Sequence, residues 1–193
     1  MERTVRAFVA IEISSEIRAK ARRLIAELAE TTANVKWVDP ESLHFTLKFL
    51  GNVPLLDMPE VCSAVTSAVQ HLPPFDLLAR GAGAFPTPDR PRTLWLGVNE
   101  GTDEMCQVHE AVERALSGSG YRSEQRRFRP HLTIGRVRNS SPAGIEDLAE
   151  RVATFSDFAG GLTDVCEVVV FASESGRDGP RYEPLSHSRL DGS

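Results

Sequence analysis

The stretch from Ser42 to Leu50 constrains the fold more than any other part of the chain, because apolar and polar residues alternate along it. Alternation with period two, filled by β-forming residues, predicts a strand with two opposite faces. Strict alternation places the larger apolar side chains on a buried face: Phe45, Leu47 and Phe49. The other face then carries an imidazole, a hydroxyl and an ammonium: His44, Thr46 and Lys48.

The same pattern returns in the second half of the chain, where His131 and Thr133 share one face and Leu132 and Ile134 share the other. The chain has 5 His and 11 Thr among its 193 residues. By chance, two or more of these histidines would have a threonine two places downstream only about 3% of the time. The doubled motif therefore indicates a functional pair rather than two histidines that happen to lie on strands.

Length and composition are typical of one compact globular unit, and we expect a single bilobal domain over residues 1–193. The hydrophobic content of 41% and the charged content of 25% are ordinary for such a protein. The sequence contains no apolar run long enough to span a bilayer, and its start lacks the pattern of a signal peptide. We therefore expect a cytoplasmic protein that does not associate with membranes and acts as a monomer.

Cysteine spacing and charge narrow the function further. Cys62, Cys106 and Cys166 are far apart and odd in number, which favours reduced thiols over disulfides or a zinc knuckle.

The net charge of −5 argues against a protein that coats long nucleic acids, but it permits recognition of a short end. Arginines nevertheless surround the second motif: Arg122, Arg126, Arg127, Arg129, Arg136 and Arg138. This cluster is either a solvated loop or a phosphate-attracting surface, and its position beside His131 favours the second interpretation.

Periodicity along the chain predicts an α+β protein. The expected strands span residues 6–13, 35–38, 42–50, 75–79, 93–99, 131–137, 165–172 and 182–185. The expected helices begin near Ser14 or Ser15, Pro59, Thr102 and Pro142. We interpret the glycine- and proline-rich residues 81–88 as a connection, and residues 173–180 as a turn. If helices cover the apolar faces on the outside of two antiparallel sheets, the two histidine faces oppose each other across a cleft.

Two imidazoles across a cleft can divide the acid and base roles at neutral pH, because an unperturbed histidine has a pKa of about 6.5. Threonine hydroxyls on the same faces can donate hydrogen bonds to the oxygens of a bound phosphate. A phosphodiester fits this symmetrical arrangement. A zinc site would need further ligands, and His109 on a helix is a poor candidate, so we expect no metal and no other cofactor.

These residues resemble the two-histidine phosphoesterases, and specifically the RNA 2′,3′-cyclic phosphodiesterases, also called 2′-5′ RNA ligases. The family's paired His-x-Thr-x motifs match His44-Phe45-Thr46-Leu47 and His131-Leu132-Thr133-Ile134. The similarity extends to residues 6–11, 43–51, 85–98 and 130–136, and thus covers nearly the whole chain. It implies a bilobal α+β fold with a central cleft, and metal-free opening of a 2′,3′-cyclic phosphate to a 2′-phosphate. Some members also join RNA ends through 2′-5′ linkages.

The resemblance also implies roles for individual residues. His131 would act as the proton acceptor and His44 as the proton donor, while Thr46 and Thr133 would hold the phosphoryl oxygens. Arg136 matches a phosphate-binding arginine of the family, although strict alternation would bury it unless Gly135 marks a bulge. We also expect substrate contacts from Lys48, on the face of His44, and from two aromatic residues that can stack on a base, Phe8 and Trp95.

Two other functions remain open at this point. One is a non-catalytic protein that binds RNA ends, although intact histidines and threonines at both motifs argue against it. The other is a phosphodiesterase for linear 2′-5′ oligonucleotides or for another small cyclic phosphate. The expected partners are RNA ends or nucleotides that bear a 2′,3′-cyclic phosphate.

Overall fold

The structure of the protein, a computed structural model, describes residues 3–176 and 179–192. The strands are β1 (Thr4–Glu12), β2 (Val35–Trp37), β3 (His44–Pro54), β4 (Phe75–Phe85), β5 (Thr93–Glu100), β6 (His131–Val137), β7 (Ala159–Val165), β8 (Glu167–Gly176) and β9 (Gly179–Arg189). The helices are α1 (Ser15–Leu28), α2 (Met58–Val69), α3 (Thr102–Gly118) and α4 (Pro142–Thr154). A short 3-10 helix, Pro40–Ser42, precedes β3.

The strands in the described ranges form two antiparallel sheets, one in the order β3-β1-β8-β9 and the other in the order β2-β6-β5-β4-β7. The first sheet carries His44 at the start of its edge strand β3, and the second carries His131 at the start of β6. β3 and β6 also lie against each other, although they belong to different sheets. The predicted α+β fold with two antiparallel sheets is confirmed.

Two helices, α1 and α3, cross between the two sheets. α1 follows β1 of the first sheet but packs on β7 of the second, and α3 follows β5 of the second sheet but packs on β3 and α2. Apolar side chains from both sheets, such as Val9 and Leu96, belong to one continuous buried core. This exchange of helices fixes the two histidine strands relative to each other.

Ser14 illustrates how the sequence fixes this exchange. Its hydroxyl caps α1 by accepting a hydrogen bond from the backbone N–H of Ile17 at 3.1 Å, as predicted. The same hydroxyl donates to the carbonyl oxygen of Leu162 in β7 at 2.6 Å. One side chain therefore starts the helix and ties it to the second sheet.

The glycine-rich segment departs from the prediction. Gly81 to Phe85 continue β4 rather than forming a connection. A Cβ on Gly83 would overlap the indole ring of Trp95, so the missing side chain makes room for this bulky neighbour. Glycine here serves close packing within a sheet, which periodicity alone does not distinguish from a loop.

The end of the chain also differs from the prediction. β7 was not expected, because Gly160 and Gly161 weaken the strand pattern. β8 ends at Gly176 and β9 begins at Gly179, so most of the expected turn over 173–180 is strand. Residues 177 and 178 lie outside the described residues. None of the helices in the described ranges is long and apolar enough to cross a membrane.

Candidate active site

The two motif histidines have matching hydrogen bonds. Nδ1 of His44 lies 2.9 Å from the carbonyl oxygen of Ser42, and Nδ1 of His131 lies 2.7 Å from the carbonyl oxygen of Arg129. A carbonyl oxygen can only accept a hydrogen bond, so Nδ1 carries the hydrogen in both rings. In the neutral form, each histidine therefore has the lone pair of its Nε2 available for proton transfer.

Aromatic rings surround His44. Its imidazole stacks on Phe8, with ring centroids 4.7 Å apart and an interplanar angle of 27°, and meets Tyr182 edge-to-face at 5.2 Å. Phe171 stacks on Phe8 at 5.3 Å and completes the cluster. These contacts limit the orientations that the imidazole can adopt.

The expectation for Phe8 is wrong in one respect. The side chain lies on the histidine face of its strand, as predicted, but only 3% of the residue is exposed and its ring packs against His44 and Phe171. Such a ring cannot also stack on a base. Phe8 instead supports the imidazole of His44.

His131 lies beside a cavity of about 320 Å³. Phe85 contacts its imidazole edge-to-face at 5.0 Å, and the guanidinium carbon of Arg129 lies 5.9 Å from the centre of the Phe85 ring. Trp95 also lines this cavity, and its indole Nε1 is buried without a hydrogen-bond partner among the described residues. The structure thus places Trp95 next to His131, and its expected stacking on a base stays a prediction.

Burial sets the charge state of both histidines. It lowers the pKa of His44 below the usual value, and the hydrogen bond to the Ser42 carbonyl opposes this effect in part. Burial likewise lowers the pKa of His131 against the effect of its bond to Arg129, and the positive charge of Arg136 lowers this pKa further. Both imidazoles therefore favour the neutral form at pH 7.

The threonines share the faces of their histidines. Thr46 lies opposite Ala10, and Thr133 lies opposite Trp95, with no register shift between each threonine and its histidine. Both residues are partly exposed. Their hydroxyls are therefore on the cleft side of the two sheets, as predicted.

Arg136 reaches the cleft side through an irregularity in β6. Thr133 pairs with Trp95, but the next pair is Gly135 with Leu94, so Ile134 is an extra residue. Arg136 is consequently exposed rather than buried, and its positive charge acts on the pKa of both His131 and Tyr182. The suspected bulge at Gly135 is confirmed.

A similar irregularity in β3 overturns the predicted facing of Lys48 and Phe49. Val9 pairs with Lys48 but Ala10 pairs with Thr46, so Leu47 is an extra residue and the alternation reverses beyond it. Lys48 is consequently 5% exposed, and Phe49 is 63% exposed on the side of Phe8, with ring centroids 6.1 Å apart. The prediction that Lys48 contacts substrate is wrong because its ammonium points away from the cleft.

Lys48 instead belongs to a polar network between β3, α3 and the loop that leads to β6. Its ammonium donates to a carboxylate oxygen of Glu113 at 2.6 Å and to the carbonyl oxygen of Arg122 at 2.8 Å. The other carboxylate oxygen of Glu113 accepts from the backbone N–H of Glu124 at 2.9 Å. The loop before His131 is thus anchored to the strand of His44.

His109 strengthens the same connection. Its Nδ1 lies 3.0 Å from the carbonyl oxygen of Leu47, the extra residue of β3, and its ring stacks on Phe128 at 4.0 Å. Phe128 lies three residues before His131. His109 therefore has a packing role, and this packing joins β3 to the loop before β6.

Sequence reasoning missed three aromatic residues of this site: Tyr182, Phe171 and Phe85. Tyr182 follows the residues predicted as a turn, where the strand pattern of the sequence is weak, and no local signal in the sequence places Tyr182 near β1. Arg126 and Arg127 are exposed in the loop before His131. Their attraction of phosphate stays a prediction.

Three other side chains could hold a metal ion. Ligand atoms of Glu12, Glu167 and His187 all lie within 4.8 Å of one another. Nδ1 of His187 is already 2.9 Å from the Glu167 carboxylate, so these two groups satisfy each other. The group does not include His44 or His131.

The profile of the 2'-5' RNA ligase superfamily matches residues 13–177 of this chain. An RNA 2',3'-cyclic phosphodiesterase of Methanothermobacter thermautotrophicus is 35% identical over 186 residues, which cover 96% of this chain and 99% of that protein. A protein of the same name from Thermotoga maritima is 32% identical over 188 residues, covering 97% of each chain.

Solved structures agree with the fold. The crystal structure of E. coli LigT complexed with 3'-AMP superimposes with a TM-score of 0.77 at 24% identity, covering 97% of this chain and 99% of that chain. The protein TT0787 of Thermus thermophilus superimposes with a TM-score of 0.79 at 23% identity, covering 97% and 98%. The bilobal arrangement is therefore shared with these proteins.

Proposed function

Because this chain belongs to the 2'-5' RNA ligase superfamily, we propose that it hydrolyses 2′,3′-cyclic phosphates at RNA ends or on nucleotides and leaves a 2′-phosphate. The observation that carries this proposal is the matched histidine pair, in which both Nδ1 atoms are held by carbonyl oxygens. One Nε2 can accept a proton while the other donates one. A ring-opening hydrolysis needs both transfers.

In the proposed reaction, Nε2 of His131 removes a proton from water as the water oxygen bonds to phosphorus. The bond between phosphorus and the 3′ oxygen breaks, and Nε2–H of His44 gives its proton to that oxygen. The product carries a 2′-phosphate and a 3′-hydroxyl, so one proton has passed from water to His131 and another from His44 to the leaving oxygen.

The charges around the two histidines support this division of roles. Arg136 lowers the pKa of His131 beyond the effect of burial, which favours the neutral imidazole that a base requires. His44 must be protonated to act as the acid, and the negative charge of a bound phosphate favours this form. Substrate binding would therefore complete the catalytic state of His44.

The remaining contacts follow the cleft faces of both sheets. We assign the non-bridging phosphate oxygens to the hydroxyls of Thr46 and Thr133 and to the guanidinium of Arg136. The terminal base would enter the cavity of about 320 Å³ beside His131 and contact Trp95. A cavity of this volume lies within the usual range for small-ligand sites.

We further propose that the reaction needs no metal, because side chains supply the acid, the base and the hydrogen-bond donors. If a 5′-hydroxyl replaces water, the same proton transfers give a 2′-5′ linkage, so ligation would use the same groups.

A single chain supplies both motifs, which supports a monomer with one bilobal domain. The free cysteines suit a reducing cytoplasm.

The direct test is to incubate the protein with 2′,3′-cyclic mononucleotides and with RNAs that end in a 2′,3′-cyclic phosphate. We expect a product with a 2′-phosphate and a free 3′-hydroxyl, identified by its sensitivity to phosphatase and by NMR of the mononucleotide. A 3′-phosphate product, or turnover restricted to linear 2′-5′ oligonucleotides, would reject the proposed reaction. A matched reaction with His44→Ala excludes a contaminating nuclease.

A further inference from the structure

One strip of the first sheet extends beyond the groups that the proposed reaction uses. Register shifts in the pairing of β1 with β3 bring Phe49 opposite Phe8 and Asn52 opposite Arg6. Directly opposed residues of antiparallel strands point to the same face of a sheet. Phe49, Asn52 and Arg6, which we call the Phe49 strip, therefore share the cleft face with His44.

Phe49 differs from the other aromatic residues on this face. The residue is 63% exposed, whereas Phe8 is 3% and Phe171 is 7% exposed. A single exposed apolar side chain is ordinary on a protein surface. This ring, however, belongs to the same strand and the same face as His44 and Thr46, and it is free to stack on another planar group.

Arg6 gives the strip a positive charge. Its side chain is exposed, and it forms no salt bridge with an acidic side chain in the described part of the chain. Its charge reaches the cleft, since it opposes the effect of burial on the pKa of Tyr182. Exposed aromatic rings next to free arginines are the usual components of a surface that binds single-stranded nucleic acid.

We propose that the Phe49 strip binds the penultimate nucleotide of an RNA substrate. The base of that nucleotide stacks on Phe49, and the phosphodiester that joins it to the terminal nucleotide pairs with Arg6. A cyclic phosphate occupies the 2′ and 3′ oxygens, so the RNA continues only through the 5′ oxygen of the terminal nucleotide. The next nucleotide must therefore lie on a surface adjoining the histidine pair.

This inference rests on the proposed function and adds a preference for substrates longer than one nucleotide. The test compares adenosine 2′,3′-cyclic phosphate with a triadenylate that ends in a 2′,3′-cyclic phosphate. The measured quantity is the ratio of kcat/KM for the trinucleotide to kcat/KM for the mononucleotide. The wild-type protein should give a ratio well above one.

Phe49→Ala should lower this ratio by about 5- to 150-fold, the range expected for the loss of one base–aromatic stack. Phe49→Tyr should retain the ratio, because it keeps the ring. Leu56→Ala, which truncates an apolar residue that is 84% exposed, is the matched control and should leave the ratio unchanged. Thermal melting of each variant checks that the fold is intact.

Arg6→Gln should lower the ratio at low ionic strength, and the loss should shrink as salt is added, because exposed charges are screened. Arg23→Gln, which removes an exposed arginine of α1, is its control. A wild-type ratio near one, or equal losses on both substrates in Phe49→Ala, would overturn the inference and leave the proposed function intact. If the wild-type protein turns over neither substrate, both proposals fail.

Discussion

At each motif histidine, a single backbone hydrogen bond decides which nitrogen is available for chemistry. The carbonyl oxygens of Ser42 and Arg129 hold Nδ1 of His44 and His131 at 2.9 and 2.7 Å. The acceptors are main-chain atoms at the entrance to each strand, so side-chain mutation does not remove them. The two imidazoles therefore have the same tautomer. In the proposed mechanism, differences in their surroundings decide which one acts as the acid and which as the base.

The environments differ at Arg136, which leads to a prediction about pH. Arg136 lowers the pKa of His131, so Arg136→Gln should raise that pKa. The proposed base must be neutral, and kcat/KM falls on the acidic side as His131 gains a proton. The acidic limb of the kcat/KM profile should therefore move to higher pH in Arg136→Gln.

The control for this shift is Arg127→Gln, which removes an exposed arginine from the loop before His131. It should alter KM in a salt-dependent way and leave the limb in place. Arg136→Gln should also raise KM at any salt concentration. An acidic limb that stays put in Arg136→Gln, or moves equally in both variants, would refute the influence of Arg136 on the base.

At the scale of elements, the two motif strands and the bulge at Gly135 were predictable, but the bulge at Leu47 was not. The alternation around His44 and His131 placed both threonines correctly. Extra residues at Leu47 and Ile134 reverse the alternation beyond each motif. Both bulges depend on pairing with neighbouring strands. Gly135 indicates the bulge in β6, whereas no local pattern around Leu47 indicates the bulge in β3.

The prediction that the glycine-rich residues 81–88 form a connection failed for a related reason, because β4 continues to Phe85. Gly83 of β4 and Gly97 of β5 leave space for the indole of Trp95, and this close contact exists only once the two strands have paired. Tyr182 likewise meets His44 only after β9 has joined the sheet. Sequence reasoning located the paired histidines and threonines, and tertiary pairing decided which aromatic rings surround them.

The reversed facing of β3 can be tested through stability. Lys48→Met should lower the free energy of unfolding by about 3 kcal/mol, because Glu113 then keeps a largely buried charge without its partner. Lys36→Met, at an exposed position of β2, should change it by less than about 0.5 kcal/mol. Urea denaturation of both variants gives the comparison.

A second substitution separates the ion pair from simple packing. Glu113→Gln removes the unpaired charge but keeps an acceptor for the backbone N–H of Glu124. The double variant Lys48→Met/Glu113→Gln should therefore be more stable than Lys48→Met alone. If Lys48→Met is as stable as the wild type, the ammonium does not lie in the buried network.

At the scale of the whole molecule, the relative placement of His44 and His131, the proposed catalytic pair, depends on how the two sheets are joined. α3 holds the β3 bulge through His109 and holds the loop before His131 through Glu113. The strand of one histidine and the approach to the other therefore share one helix as support. Rigid placement of both groups matters because proton transfer requires hydrogen-bond reach on both sides of the phosphate.

In the proposed mechanism, side chains supply the acid, the base and the hydrogen-bond donors, which predicts that hydrolysis survives excess EDTA. Mixing protein, EDTA and a 2′,3′-cyclic mononucleotide should give the untreated rate. His187→Ala, which alters the group formed with Glu12 and Glu167, should also keep this rate. Activity that is lost on chelation and restored by zinc or manganese would contradict the two-histidine mechanism.

The most direct measurement of the central claim is turnover and unfolding of His44→Ala, His131→Ala and Leu47→Ala side by side. Each histidine variant should lose about 10²- to 10⁴-fold in rate and remain folded, because it removes a positioned acid or base from the cleft side. Leu47→Ala, at a residue 4% exposed, should lose roughly 2–5 kcal/mol of stability. Near-wild-type turnover in either histidine variant would contradict the account, as would a histidine variant that unfolds as readily as Leu47→Ala.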